Sequence, residues 1–313
     1  MDLKGRWYRL TINNNTTNVQ TIISNTLNIA FKVGKRLDHT RTLPEATVDI
    51  YNLSDDSLKA ISGKYVSVIL EVGYQYVDTT GATQSNTAPI LVGVSLYNTT
   101  RKNGRDRITT LHITEGHLPL NTASLSLSFP PNTTVLGVIE GAVSAANALT
   151  GQPIAIGKKY PAVFSTPLVS GWCHTGTLKT LLNNLAKAYN FTWGINKNVV
   201  QFHDKHGTLR PAIAQATVIS ADTGLIRVPT PHEYSYADLN PDEGKHEKAI
   251  RYVGVRLECL LNPHLEPGSV LQVQSVTSQF NHWYLIRDID FMGEWMGQTW
   301  ECAILADQAN AVG

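Results

Sequence analysis

The chain reads as mainly β with an α+β insertion: two β-barrel domains, residues 1–118 and 211–313, flank a small α/β module at 119–210. Three observations predict this. Apolar and polar residues alternate at period two through both outer regions, as half-buried strands require. Between them the apolar period lengthens to that of helices. Charged residues make up only 16% of the 313, against roughly 25% in ordinary soluble domains, and the net charge is +1. A β-rich subunit that spends its life assembled fits that composition.

In the first region the alternating runs fall at 27–33, 46–51, 66–72, 90–96 and 108–113, spaced as in a barrel or sandwich. Between the second and third, Ser54 can cap a short helix over 55–61, with Asp55 and Asp56 favourably placed in its first turn. The polar stretch 75–89 is expected to be an exposed hairpin loop, long enough to reach a neighbouring subunit. In the central region Asn132 or Thr133 is expected to cap a helix carrying Val135, Leu136, Val138, Ile139, Val143 and Leu149, which Gly151 and Pro153 end. A second helix follows Thr177, with Leu178, Leu181, Leu182, Leu185 and Tyr189 on one face. Two short strands, 191–195 and 199–203, are joined by the turn Asn196-Lys197-Asn198. In the last region Val255, Leu257, Cys259 and Leu261 alternate up to a turn confined by Pro263, Pro267 and Gly268, and Leu271 and Val273 resume the alternation. Trp300, Cys302 and Ile304 share one face of the closing strand.

Function classes can be narrowed on the same residues. A pI near 7.8 with no basic run argues against a duplex-binding surface. The scattered Cys173, Cys259 and Cys302 read as reduced core residues. The N-terminus has no apolar signal core and no run reaches membrane-spanning length, so the chain is expected to fold in cytoplasm. His203 and His206 are close enough to suggest a metal pair, but they fall at a strand end without flanking ligands and read as a solvated turn. His232-Glu233 and His246-Glu247 are isolated in a polar loop. Gly34-Lys35-Arg36 and Gly157-Lys158-Lys159 lack the spacing of a phosphate-cradling loop, and no Gly-x-Ser-x-Gly elbow is present. Asp288, Asp290, Glu294 and Glu301 lie near Trp283, Trp295 and Trp300, superficially a sugar cleft, yet their alternation reads as an outer acidic face over aromatic core. No catalytic, cofactor-binding or metal-binding residue emerges, and no cofactor is expected.

The segment Thr223-Gly224-Leu225-Ile226-Arg227-Val228-Pro229, followed by Leu260-Leu261-Asn262-Pro263-His264-Leu265-Glu266-Pro267-Gly268, resembles the "TGLIG-x-P" and "LLNP-x-L-x-PG" segments of phage baseplate hub proteins of the contractile-tail, Mu-like kind. Other stretches are similar to that family in the same order. They are Ile50-Tyr51-Asn52-Leu53-Ser54, Val72-Gly73-Tyr74, Ile90-Leu91-Val92-Gly93, Glu115-Gly116, the 177–203 helix and strand pair, and 291–306. In the last of these Phe291 and Glu294 replace the family's His and Asp.

What the resemblance implies is a structural part, with two barrels similar to the tail-tube subunit in each chain. A homotrimer would present six such barrels to a hexameric tail tube or tube-initiator protein, and its threefold axis to the tail spike or tip protein. The implied partners are further copies of the chain, the tape-measure protein and other baseplate (wedge) proteins, with DNA only passing through the channel and no membrane binding of its own. Lys102, Arg105 and Arg107 would be candidates for the channel lining or for a solvated hairpin. The alternative is a cell-wall (peptidoglycan) hydrolase of the tail tip, for which three units already filling the chain leave no inserted lytic domain. A secretion-system spike would continue past Gly313 into a β-helix, so a separate spike polypeptide is expected.

Overall fold

A computed structural model describes residues 5–14, 16–38, 45–77, 80–159, 162–204, 216–235 and 251–308. The first region supplies β1 (Arg6–Asn14), β2 (Val19–Ser24), β3 (Ile29–Arg36), β4 (Ala46–Tyr51), the helix α1 (Asp55–Ile61), β5 (Val66–Val77), β6 (Thr83–Asn103) and β7 (Asp106–Thr114). Their strands pair in the order β3-β4-β7-β6-β5-β1-β2, all antiparallel. Period two accounts for each: in β3, Ile29, Phe31, Val33 and Lys35 point inward while the residues between them do not. Ser54 caps α1 as its sequence predicts, accepting from the Ser57 amide.

The expected loop at 75–89 is instead a ladder. β5 and β6 stay paired out to Val77↔Thr83, with Gln84 and Ser85 exposed beside them. Its polar composition hid it because a ribbon exposed on both faces has no apolar phase to read.

The central region forms β8 (Ser124–Phe129), α2 (Val135–Thr150), β9 (Ala155–Lys159), β10 (Trp172–Thr177), α3 (Leu178–Tyr189), β11 (Phe191–Asn196) and β12 (Val199–Asp204). β8 pairs with β10, and β11-β12-β9 form a second small sheet. α2 and α3 bury one face each into a core of their own with Trp193, Phe191 and Phe202. The cap of α2 is Thr134, one residue beyond the expected pair, because Asn132 is held at φ +69 and only the Thr134 hydroxyl reaches the Gly137 amide. Leu149 is 63% exposed, unlike Val135, Val138, Ile139 and Val143 of the same helix, which are buried. Cys173 is exposed as well, on the outer face of β10, whereas Cys259 and Cys302 are buried.

The last region contributes β13 (Thr217–Ser220), β14 (Thr230–Ser235), β15 (Arg251–Leu260), β16 (Val270–Gln274), β17 (Trp283–Glu294) and β18 (Trp300–Gln308). They run β14-β15-β18-β17, and β17 also pairs with β16, which pairs with β13. The Thr223-Gly224-Leu225 turn carries the chain from β13 back to β15. Ser220 O accepts the amides of Thr223, Gly224 and Leu225, and Leu225–Ile226 then bond β15 through Ile226 N to Glu258 O at 2.9 Å and Leu260 N to Gly224 O at 2.8 Å. The strands β15, β18, β17, β16 and β13 are thus brought round upon themselves. Gly224 sits at φ +115 with Leu260 against it, so a side chain there would be strained.

The two β regions share one sheet. Asp288–Glu294 of β17 pair antiparallel with Arg36–Ala30 of β3, so β17 serves β16 near its start and β3 along its second half. A register shift between Ile286 and Asp288 marks the change of partner. A single apolar core runs through both regions, including Phe31 and Tyr74 from the first and Trp300, Cys259 and Phe291 from the last. Phe31 and Trp300 meet edge to face at 5.3 Å across the shared strand.

Candidate functional site

Where the three regions meet, the fold buries charge. Lys35 occupies the inward phase of β3, and its Nζ lies 2.5 Å from Glu115 Oε1, with the two side chains 3% and 8% exposed. Glu115 follows β7 directly, and the same Oε1 accepts the amides of Val92 from β6 and of Lys197 from the β11–β12 turn, each at 3.1 Å. The Lys197 ammonium reaches Glu266 Oε1 at 2.6 Å, in the turn before β16. Charges therefore alternate from β3 to the end of β7, to the central module, to the last region. Burial pushes the Lys35 ammonium below its ordinary value, with Glu115 pulling the other way.

The local sequence makes this possible. Lys197 and Asn198 adopt φ +52 and +60, the tight turn that Asn196-Lys197-Asn198 predicts, and Asn198 Oδ1 accepts the Gly116 amide at 2.9 Å. In the Asn262-to-Gly268 turn, Asn262 Oδ1 accepts the His264 amide and Gly268, at φ +83, donates to Ile286 O. Both segments are joints.

His203 is 2% exposed, buried where β12 faces Gly268, and so belongs to the contact between the module and the last region rather than to a solvated turn. His206, His246 and Glu247 lie outside the described residues; His232 is on β14. Among the described residues no group of His, Cys, Asp and Glu is placed to hold a metal, and no helix is long and apolar enough to cross a membrane. Lys35 is in the core, and Gly157 is on β9. Asp288 and Asp290 fall on the outward phase of β17 beside Arg36, at 3.9 and 2.8 Å, while Ile289 and Phe291 point inward. Burial raises the Asp288 carboxyl, and Arg36 opposes the rise. Trp300 is core, Trp295 packs on Tyr8 at 5.5 Å, and Trp283 opens β17. Trp300, on the neighbouring strand β18, is thus turned into the core, while Asp288 and Asp290 meet Arg36 on the outward phase of β17. Arg107 is tied to Asp55 at 2.5 Å and to the Leu53 carbonyl, while Lys102 and Arg105 are exposed at the end of the β6–β7 hairpin.

The sequence carries one local signal of the Lys35–Glu115 pair. A lysine continues the Ile29, Phe31, Val33 phase, which is where a strand keeps its core residues.

No family model matches the chain, and no curated protein matches it in sequence. Solved structures do. A prophage MuSo2 tail protein of 43 kDa from Shewanella oneidensis is similar at TM-score 0.62 and 8% identity, over 97% of this chain and 99% of the other. A tail protein from Neisseria meningitidis is similar at TM-score 0.59 and 10% identity, over 97% of both chains. The E. coli c3393 protein, a component of the type VI secretion system with structural similarity to the T4 bacteriophage tail proteins gp27 and gp5, is similar at TM-score 0.56 and 14% identity, over 90% of this chain and 74% of the other. From end to end, this chain has the mainly β fold of those tail proteins.

Proposed function

We propose that the protein is the baseplate hub of a phage tail, a virion component that joins the hexameric tail tube to the trimeric central spike. The observation that carries this reading is the agreement in fold, over nearly the full length of both chains, with two tail proteins, one of them from a prophage. Two β regions fused through one shared strand support it, because three such chains offer six barrel-like units around a threefold axis. In this reading the trimer encloses the channel for tape measure and DNA, and wedge proteins contact its outside. Regions 1–118 and 211–313 act as the tube-like units and 119–210 as the module between them. The role is structural rather than enzymatic. A hydrolase would need a carboxylate pair in a cleft, and Asp288 and Asp290 instead share Arg36 on a strand face.

Light scattering on a sizing column tests the proposal, with and without the candidate spike protein. A mass of three times 34.4 kDa in either condition is expected. A monomer in both, above all one that clears a peptidoglycan suspension, overturns it in favour of the hydrolase.

A further inference from the structure

Two of the three cysteines face each other. Cys259 on β15 and Cys302 on β18 are direct cross-strand partners, both free, both in the core and at most 1% exposed. The hydrogen-bonding phase of their strands is set by three bonds. Ile226 N donates to Glu258 O and Leu260 N to Gly224 O on one edge of β15, and Leu261 N donates to Trp300 O on the other. Odd-numbered residues here therefore turn their peptide groups toward β18, which makes Cys259 and Cys302 a hydrogen-bonded pair. Opposed α-carbons in such a pair stand about 5.5 Å apart, inside the range that disulfides bridge. Their β-carbons stand about 4.5–5.5 Å apart, more than a relaxed disulfide takes, so closing the bond must draw the strands together.

We propose that Cys259 and Cys302 form a reversible redox pair, closed by a hydroperoxide and reopened by a dithiol, that staples β15 to β18 in the last region. The thiolate of one cysteine attacks the peroxide oxygen, giving a sulfenic acid and releasing water once the leaving hydroxide takes up a proton. The sulfur of the second cysteine then displaces the sulfenic oxygen as a second water. Two thiols and one hydrogen peroxide thus become one disulfide and two waters. Burial pushes the Cys302 thiol up, and the neighbouring Cys259 adds to the rise, so little thiolate is present in the closed fold. The reaction is accordingly slow and gated by opening of the strands. A small oxidant enters where a bulky thiol reagent does not. The strain that closure imposes makes the bond easy to reduce. The exposed Cys173 is a separate, ungated thiol.

The test uses the full chain carrying Cys173→Ser, which alters only an exposed position, alongside the unaltered chain. Each is incubated with hydrogen peroxide, unfolded, alkylated and weighed. The expected product has lost two hydrogens, takes up no alkyl group at Cys259 or Cys302, and yields one peptide joining them. Dithiothreitol restores both alkylation sites, and mild urea speeds closure. Quantitative alkylation of both thiols after peroxide, even in mild urea, overturns the proposal. So does independent addition of oxygen to each sulfur. Cys259→Ser and Cys302→Ser should each abolish the linked peptide, and a link to Cys173 in its place also counts against the pair.

Discussion

Replacing Glu115 by Gln removes one charge at the junction of the three regions and changes little else in shape. The amide oxygen can still accept from Val92 and Lys197, but the ammonium of Lys35, only 3% exposed, loses the carboxylate 2.5 Å away. Breaking a buried pair from one side costs about 3–5 kcal/mol, since the remaining charge is left in a poor solvent. Lys35→Met should cost less, because the carboxylate left behind keeps its two amide donors. The double variant should be more stable than Glu115→Gln alone. The pH dependence has a definite sign. Burial already holds Lys35 below its ordinary value, and without Glu115 it falls further. Between that lowered value and the unfolded one, about 10.4, the unfolded chain binds the extra proton, so stability rises with pH. The deficit of Glu115→Gln against the parent should therefore shrink from pH 7 towards pH 10. Equilibrium urea unfolding followed by tryptophan fluorescence measures it, and hydrogen exchange at the Val92 amide reports the junction locally. A variant within about 1 kcal/mol of the parent, or a deficit flat in pH, refutes the reasoning.

Trp300→Ala should destabilise by about 3–5 kcal/mol, because the ring is 2% exposed and packs on Phe31 across the shared strand; urea titration measures the loss. Gly224→Ala should cost about 1–3 kcal/mol, since φ is +115 and the new β-carbon meets Leu260 at 3.1 Å, and the damage should show as faster exchange of the Leu260 amide. Thr177→Ala removes the hydroxyl that accepts the Thr180 amide at the start of α3 and should cost about 1 kcal/mol in thermal or chemical unfolding.

How much of this was legible in the sequence follows from how far apart the interacting residues stand. The alternation in β3, β4 and β15 and the helical faces of α2 and α3 depend on neighbours within a few residues, and they can be read. The pairing of β17 with β3 joins residues some 250 positions apart, as Phe31 with Gly293, and leaves no local trace. The strands of each β region can therefore be read on their own, but the pairing that joins the two regions into one sheet cannot. The paired ribbon at the ends of β5 and β6 escaped because its residues face water on both sides. At the junction, Lys35 carried a phase signal, but its partner Glu115 lies just past a strand end, where period two says nothing.

The two segments that carry the family resemblance also explain each other physically. One turns at Gly224 so that the chain leaving β13 lies against β15; the other turns at Gly268 so that β16 can begin beside β17. Gly268 also admits the buried His203 ring of the central module, and Glu266 in the same turn holds Lys197. Gly224 and Gly268 are thus constrained both by backbone geometry and by the side chains that pack on them. In this chain the buried Lys35–Glu115 pair, the Lys197–Glu266 pair and the turns at Gly224 and Gly268 all fall where strands of different regions or of one closed sheet meet.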